Sequence, residues 1–99
     1  MIYSVELSQF AIDDLVEIVD WYRDQRDGLD KEFTLAFEVV LRQIEINPLA
    51  FQVKFKQSRN VTMQRFPYKV VFKVFDNKIR VVGVIHHARN PRLIRKRLK

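Results

Sequence analysis

Two adjacent histidines, His86 and His87, are the only histidines of the chain. A neutral imidazole can act as a general base near physiological pH. Together with basic side chains, such a base could act on a phosphodiester. The structural alternative is a ring that packs in the core or caps a backbone group. The chemistry therefore depends on which histidine points toward the basic side chains of the fold.

Basic residues dominate the second half of the chain. Residues 51–99 carry fourteen Lys or Arg against the single Asp76, a net charge of +13. Residues 1–50 carry four Lys or Arg against eleven Asp or Glu, a net charge of −7. Because this change coincides with the passage from helix-like to strand-like sequence, one layer of the fold should be basic and the other acidic. A concentrated positive surface attracts polyanions or an acidic partner.

Strand alternation predicts that many of these cations share one sheet face, left open to water or a ligand. The residues predicted to bind nucleic acid or another anion are Lys54, Lys56, Lys69, Lys73, Arg80 and Arg92. Arg65 and Arg89 could join the rim of this face. Several cations together neutralise phosphates, and Arg can do so with two parallel hydrogen bonds. The alternative is that the lysines only keep exposed strands soluble and prevent edge pairing.

Other catalytic motifs are missing from the sequence. The chain has no cysteine, which excludes disulfides and cysteine-based zinc sites. Its two glycines cannot build a phosphate-binding loop, and Ser4, Ser8 and Ser58 lack a nucleophile-elbow context. Neighbouring strand residues point to opposite faces, so His86 and His87 cannot easily hold one metal ion. We therefore expect no metal and no cofactor.

Length and composition indicate one folded domain over residues 1–99. An apolar content of 47% with eight Phe favours a packed core over disorder. Residues 1–6 lack the basic and apolar regions of a signal peptide. The apolar runs all fall short of the ~18 residues that span a membrane. We expect a cytoplasmic protein with no membrane partner.

The first half of the chain predicts two amphipathic helices joined as an antiparallel hairpin. Ser8 is suited to cap the first, Gly28 to end a helix in the left-handed conformation, and Asp30 to cap the second. Asn47-Pro48 ends the second helix, because proline cannot continue it. The apolar sides are formed by Ala11, Leu15, Ile18 and Tyr22, and by Phe33, Ala36, Phe37, Val40, Leu41 and Ile44.

The other elements are predicted strands. The segments with strand-like character are 2–7, 51–56, 61–66, 68–74 and 78–87. Asp76-Asn77 is a plausible hairpin turn, and Leu93, Ile94 and Leu98 could dock the basic tail as a short helix. The order β-α-α-β-β-β predicts an α+β domain, with a helical hairpin on one face of a small antiparallel sheet and a short basic C-terminal tail.

Alternation in the last strand bears on the two histidines. Counted from Ile79, Val81 and Ile85, His87 falls on the core side and His86 on the side of Arg80. A bulge near Gly83 would interchange the two histidines. The sequence leaves both arrangements open.

Four short motifs carry a family resemblance. They are Ala11-Ile12-Asp13-Asp14-Leu15 in the first helix, Asn47-Pro48 after the second, residues 65–72 (RFPYKVVF) and residues 85–91 (IHHARNP). With the order of elements, they resemble the RelE/ParE superfamily of toxins over nearly the whole chain. The resemblance implies a bacterial toxin–antitoxin module, with a cognate antitoxin in a hetero-oligomer and operator DNA bound only through that antitoxin.

The resemblance also suggests how the chain would act. RelE-like toxins cut mRNA in the ribosome without a metal, and ParE-like toxins poison DNA gyrase. Positions matching basic RelE-like catalytic residues are Lys54, Lys56, Lys69 and Arg89. Lys69 departs from the usual Arg and loses its bidentate geometry. The C-terminal tyrosine of RelE-like enzymes has no counterpart here, since no tyrosine follows Tyr68.

Three hypotheses follow. The preferred one is a growth-inhibiting toxin of the ParE-like or plasmid-stabilisation type that acts on DNA gyrase. The alternative is a ribosome-dependent mRNA endonuclease, in which His86 or a lysine of lowered pKa takes a proton from the 2′-hydroxyl and Arg65 and Arg89 stabilise the phosphorane. The third is a non-toxic module that binds nucleic acid or an acidic protein.

Overall fold

A computed structural model describes residues 3–88 and 92–98, apart from the side chain of Leu93. In chain order its elements are β1 (Ser4–Leu7), α1 (Gln9–Gln25), α2 (Leu29–Ile46), β2 (Arg59–Thr62), β3 (Tyr68–Phe75), β4 (Lys78–His86) and α3 (Arg92–Arg97). Short 3-10 turns cover Pro48–Ala50 and Phe55–Gln57. This order confirms the predicted β-α-α-β-β-β arrangement and the α+β class.

The first helix begins at the predicted cap. Ser8 Oγ accepts a hydrogen bond from the Ala11 amide at 3.2 Å, which satisfies one free N–H group of the first turn. The same hydroxyl donates to the Val82 carbonyl at 3.2 Å, so the cap also joins α1 to β4. The predicted apolar side is confirmed by Ala11, Ile18 and Tyr22, which are buried.

The second helix begins earlier than the sequence indicated. Its N-cap is Gly28 with a φ of 86°, and the predicted cap at Asp30 is wrong. Glycine takes this left-handed conformation without steric cost, so the chain can enter the helix at Leu29. Asp30 lies instead in the first helical turn, where its charge complements the helix dipole. The helix ends at Ile46, directly before Asn47-Pro48, as predicted.

The four strands form one sheet in the order β1-β4-β3-β2. β3 pairs antiparallel with β4 and with β2. β1, however, lies parallel to β4, from Ser4 opposite Lys78 to Leu7 opposite Val81. The sheet is therefore mixed, and the prediction of a purely antiparallel sheet is wrong for β1. Alternation along a strand reports which residues share a face but not the direction of the neighbouring strand.

The predicted strand over residues 51–56 does not form. Val53 makes a single antiparallel bridge to Arg59. Lys56 and Gln57 then take positive φ angles of 53° and 64°. Two left-handed residues in succession turn the chain, so the alternation of faces ends at this point. Phe55 is consequently exposed.

The main core lies between the helical hairpin and the sheet. Tyr22, Phe33, Phe66 and Tyr68 form an aromatic cluster in it, with ring centroids between 5.2 and 6.4 Å apart. Burying one such ring contributes roughly 1.5–3 kcal/mol, and edge-to-face contacts add to it. The cluster therefore fixes the hairpin on the sheet close to the end of β4.

The sheet face turned away from the helical hairpin, here called the outer face, is partly covered. Leu98 packs with Val71, Val82 and Ile85, and all four side chains are buried. Ile94 of α3 is half-buried against them. The docked tail helix suggested by the sequence therefore forms, whereas the expectation of a wholly open second face is wrong. α3 covers apolar side chains, and the cations of the outer face lie around it.

Candidate functional site

A β-bulge in the central hairpin decides the position of the histidines. Val71 pairs with Gly83 while the next residue, Phe72, pairs with Val81, so Val82 is an extra residue in β4. The extra residue shifts the alternation that follows it. His86 therefore pairs with Tyr68, and the two rings are 5.4 Å apart at their centroids. The bulge interchanges the histidines relative to simple alternation.

His86 lies in a pocket of acidic and aromatic side chains that Arg97 also lines, and Lys73 and Arg80 of the outer face are not part of that lining. The pocket has a volume of about 660 Å³, and α1 contributes Glu17, Trp21 and Asp24 to its lining. Tyr68 lines the opposite wall together with His86. His86 Nδ1 accepts a hydrogen bond from the Ala88 amide at 3.0 Å. His87 is exposed.

Arg65 is held by the helical hairpin. It follows β2 with a φ of 72°, and its Nη2 lies 2.7 Å from Glu32 Oε1. Arg26 contacts the other oxygen of Glu32 at 3.0 Å. The hydrogen bond from Arg65, followed by the contribution of Arg26, lowers the pKa of Glu32, while partial desolvation opposes the shift. Arg65 therefore ties the loop after β2 to α2.

Among the described residues, the proposed catalytic side chains His86 and Arg65 contact different partners. His86 is packed beside Tyr68, and Arg65 is bound to Glu32. Arg89, the third proposed catalytic residue, lies outside the described residues. Within residues 3–88 and 92–98, no cluster of three His, Asp or Glu side chains has the arrangement of a metal site.

The predicted anion-binding residues are placed differently from one another. Lys73 and Arg80 are register partners on the outer face. Lys69 shares that face by alternation and is half-buried. Lys54 and Lys56 are exposed on the turn that replaces the predicted strand, and Arg92 is exposed at the start of α3. Lys73 and Arg80 are the pair that the sheet itself holds side by side.

Sequence reasoning missed an ion pair that fixes α3. Asp14 accepts hydrogen bonds from Arg97 at 2.7 and 3.1 Å and from the Val84 amide at 3.0 Å. Gly83 makes this possible, because a Cβ there would lie 2.5 Å from Arg97 Nη1. A glycine inside a strand pattern was the one available signal, since it often marks a bulge or a close approach.

Sequence reasoning also missed three exposed phenylalanines beside cations. Phe10, Phe55 and Phe75 are 52%, 44% and 49% exposed. Lys73 Nζ lies 5.5 Å from the centroid of Phe75, and the guanidinium of Arg97 lies 4.8 Å from that of Phe10. These distances are typical of cation–π contacts. The outer face therefore combines positive charge with accessible aromatic rings.

Comparison with known proteins agrees with this architecture. The family model for the ParE toxin of type II toxin–antitoxin systems (parDE) matches residues 5–91. The chain belongs to the ParE toxin family. It is the toxin component of a type II toxin–antitoxin system and a member of the RelE/ParE superfamily, and its partner in such a system is an antitoxin. The superfamily resemblance noted in the sequence is thereby confirmed.

Individual ParE relatives and solved structures support the assignment. Toxin ParE2 of Mycobacterium tuberculosis, in strains CDC 1551 / Oshkosh and H37Rv, is 31% identical over 83 residues, which are 83% of this chain and 79% of the relative. A structure of the chromosomal ParDE system from P. aeruginosa has a TM-score of 0.71 at 20% identity, covering 86% of this chain and 96% of that chain. A double mutant of E. coli toxin RelE in the free state has a TM-score of 0.65 at 13% identity, covering 99% and 95%. At these identities the two structures show a shared fold.

A membrane-spanning helix was not expected from the sequence. In the part of the chain that the structure describes, no helix combines the length and the apolar character needed to cross a membrane.

Proposed function

We propose that this ParE toxin inhibits growth by acting on DNA gyrase through protein–protein contact. The observation that supports this reading is that the groups a nuclease would need contact different partners. His86 lies in the acidic pocket beside Tyr68, Arg65 is bound to Glu32, and Lys73 and Arg80 lie on the outer face. General acid–base chemistry requires such groups within hydrogen-bond reach of one substrate. Membership of the ParE family favours the same reading.

Cleavage of mRNA is the second candidate. Because His86 contacts Tyr68 and Arg65 contacts Glu32, cleavage would depend on other residues than this pair. The basic residues Lys54, Lys56 and Arg92 are exposed and remain candidates for contact with RNA. The absence of any tyrosine after Tyr68 weakens this reading further.

A cognate antitoxin is proposed to neutralise the toxin by covering part of its basic surface. The net charge of +13 over residues 51–99 favours an acidic or amphipathic segment as the covering element. The two proteins would form a hetero-oligomer, and operator DNA would be bound by the antitoxin part. Co-expression with the neighbouring gene product followed by native purification tests this directly. Recovery of the toxin as a monomer alone would contradict it.

The gyrase proposal is tested with purified toxin at micromolar concentration. We expect loss of supercoiling by DNA gyrase, relieved by the antitoxin. Induction of the toxin alone should arrest growth without producing new RNA 5′ ends within minutes. Unchanged supercoiling together with new ends in phase with codons would establish the ribosome-dependent nuclease instead. Harmless induction with unchanged supercoiling would contradict both toxin mechanisms.

A further inference from the structure

A small cavity on the outer face combines cations with aromatic rings. Its volume is about 250 Å³, and it is lined by Phe10, Lys73, Phe75, Arg80 and Arg97, among others. The side chains come from α1, β3, β4 and α3, so the cavity exists only in the folded chain. Among the described residues, the three charged side chains that line it are all cations.

The three cations that line this cavity differ in how closely they are paired with acidic side chains. Arg97 is bound to Asp14, but its Nε–H is buried and has no acceptor in the described part of the chain. Arg80 Nε lies 3.9 Å from Glu6, and both side chains are more than half exposed, so water screens this contact. Lys73 contacts the ring of Phe75, and no ion pair joins it to an acid in residues 3–88 and 92–98. The cavity therefore keeps an excess of positive charge that an anion can neutralise.

The aromatic rings add a second kind of contact. Phe10 and Phe75 are about half exposed, so part of each ring is accessible to a ligand. A flat ring next to a cation can stack on a nucleic-acid base while the cation contacts the neighbouring phosphate. A free phosphate would use the cations and leave both rings bare. The combination favours a ligand that carries phosphate and base together.

The same combination recurs on the other side of α3. The guanidinium of Arg95 lies 5.0 Å from the centroid of Phe55, and Lys56 Nζ lies 5.9 Å from it. Arg95 and Arg97 are two positions apart on a helix and therefore point to different sides of it. Two contacts between a cation and an aromatic ring, Arg97 with Phe10 and Arg95 with Phe55, therefore flank α3. A repeated unit of this kind fits a polymer better than a single nucleotide.

We propose that the outer face of the toxin binds a single strand of nucleic acid. Phosphates lie against Lys73 and Arg80, and bases stack on Phe75, Phe10 and Phe55. A duplex is a poorer ligand, because its base faces are stacked on each other and are closed to the rings. This binding site goes beyond the proposed action on gyrase and does not depend on gyrase being the target.

The test measures binding of fluorescein-labelled oligo-dT and oligo-rU of about 12 nucleotides by fluorescence anisotropy over a range of salt concentrations. We expect Phe75→Ala to weaken binding by about 5- to 150-fold, the usual loss for one stacked base. Leu35→Ala is the matched control, because Leu35 is 63% exposed on the opposite, helical layer. It should bind like the parent chain.

Charge is tested with a second pair of variants. Lys73→Gln with Arg80→Gln should weaken binding and reduce the slope of log affinity against log salt by about 1.4, since each strand phosphate contact contributes about 0.7. The control is Lys31→Gln with Arg42→Gln, which removes the same two charges from exposed positions of α2. Arg97 is left in place because it holds α3. Circular dichroism confirms that each variant is folded.

Each result of these binding measurements either supports or overturns the proposed nucleic-acid site. Equal binding of DNA and RNA supports the site as a general strand binder, and a preference for one sugar supports it and identifies the ligand. The proposal is overturned if the parent chain binds no oligonucleotide at low salt, or if a duplex of the same length binds as tightly. It is also overturned if both pairs of charge variants lose affinity equally, because long-range attraction alone would then explain binding. Gyrase inhibition is measured separately and can persist or fail in any of these cases.

Discussion

Arg97 of α3 and Asp14 of α1 form a bidentate ion pair across 83 positions of sequence. Nη1 lies 2.7 Å from Oδ2 and Nη2 lies 3.1 Å from Oδ1, with side chains only 10% and 15% exposed. Oδ2 also accepts the amide of Val84 in β4. One carboxylate therefore joins a helix of the acidic layer, the sheet and the basic tail. Charge-assisted bonds of this geometry are stronger than neutral ones.

Removing the carboxylate should destabilise the fold. Asp14→Ala leaves the Arg97 guanidinium and the Val84 amide without their acceptor, and breaking a buried pair on one side typically costs about 3–5 kcal/mol. Urea denaturation measures the loss as a lower midpoint. Asp13→Ala, next in sequence and exposed, should leave the midpoint nearly unchanged. Equal midpoints for the two variants would show that the ion pair does not stabilise the native state.

Gly83 should tolerate no side chain while Arg97 is present. A Cβ would lie 2.5 Å from Arg97 Nη1 and 3.2 Å from Asp14 Oδ2. We expect Gly83→Ala to destabilise the protein by about 1–3 kcal/mol through this overpacking. In an Arg97→Ala background the same substitution should cost clearly less. A cost that is independent of residue 97 would mean that the backbone of the bulge, not the ion pair, excludes alanine.

Glu32 should make stability depend on acidic pH. Its pKa is lowered in the native state, first by Arg65 and then by Arg26. A lowered pKa stabilises the fold above the unfolded value of about 4.3, and this contribution disappears as the pH falls through the native value. Glu32→Gln should therefore reduce the loss of stability below about pH 4. Glu38→Gln, an exposed change on the same helix, serves as the control. An acid transition of unchanged slope in Glu32→Gln would contradict the assignment.

Tyr22 should make the stability of the fold decrease at alkaline pH. Burial, followed by the effect of Tyr68, raises the pKa of Tyr22. A raised pKa gives stability that is complete below the unfolded value of about 10 and is lost as the pH rises toward the native value. Ultraviolet titration of the three tyrosines should show one that ionises at higher pH than in the unfolded chain. Tyr22→Phe should remove that step; its survival in the variant would assign it to another tyrosine.

Local chemistry was sufficient to predict the helical layer. Ser8 caps α1 because its hydroxyl reaches the free amide of Ala11, and Pro48 ends α2 because it cannot donate to the helix. The apolar residues Phe33, Phe37, Val40 and Ile44 recur at helical spacing and are buried. These interactions act over a few residues, so sequence alone contains the information.

Contacts between distant residues decided the remainder. The parallel direction of β1 and the bulge at Val82 depend on pairing between strands. The bulge alone moved His86 from the predicted basic face to the acidic pocket. Likewise, the ion pair with Glu32 holds Arg65 against α2, whereas the sequence had suggested a place at the rim of the basic sheet face. Of the residues predicted for catalysis, His86 and Arg65 therefore have different partners in the fold, and their catalytic role stays a prediction.

The sequence by itself determined the class of the fold, the helical hairpin, the division into an acidic and a basic layer, and the superfamily. These depend on periodicity, capping and net charge, which are local or additive properties. Only the tertiary structure decided that Asp14 and Arg97 meet beside Gly83 and that Phe10 and Phe75 share a cavity with Lys73 and Arg80. Such contacts depend on strand direction, register and the position of a single bulged residue, and a shift of one residue turns a side chain to the other face of the sheet.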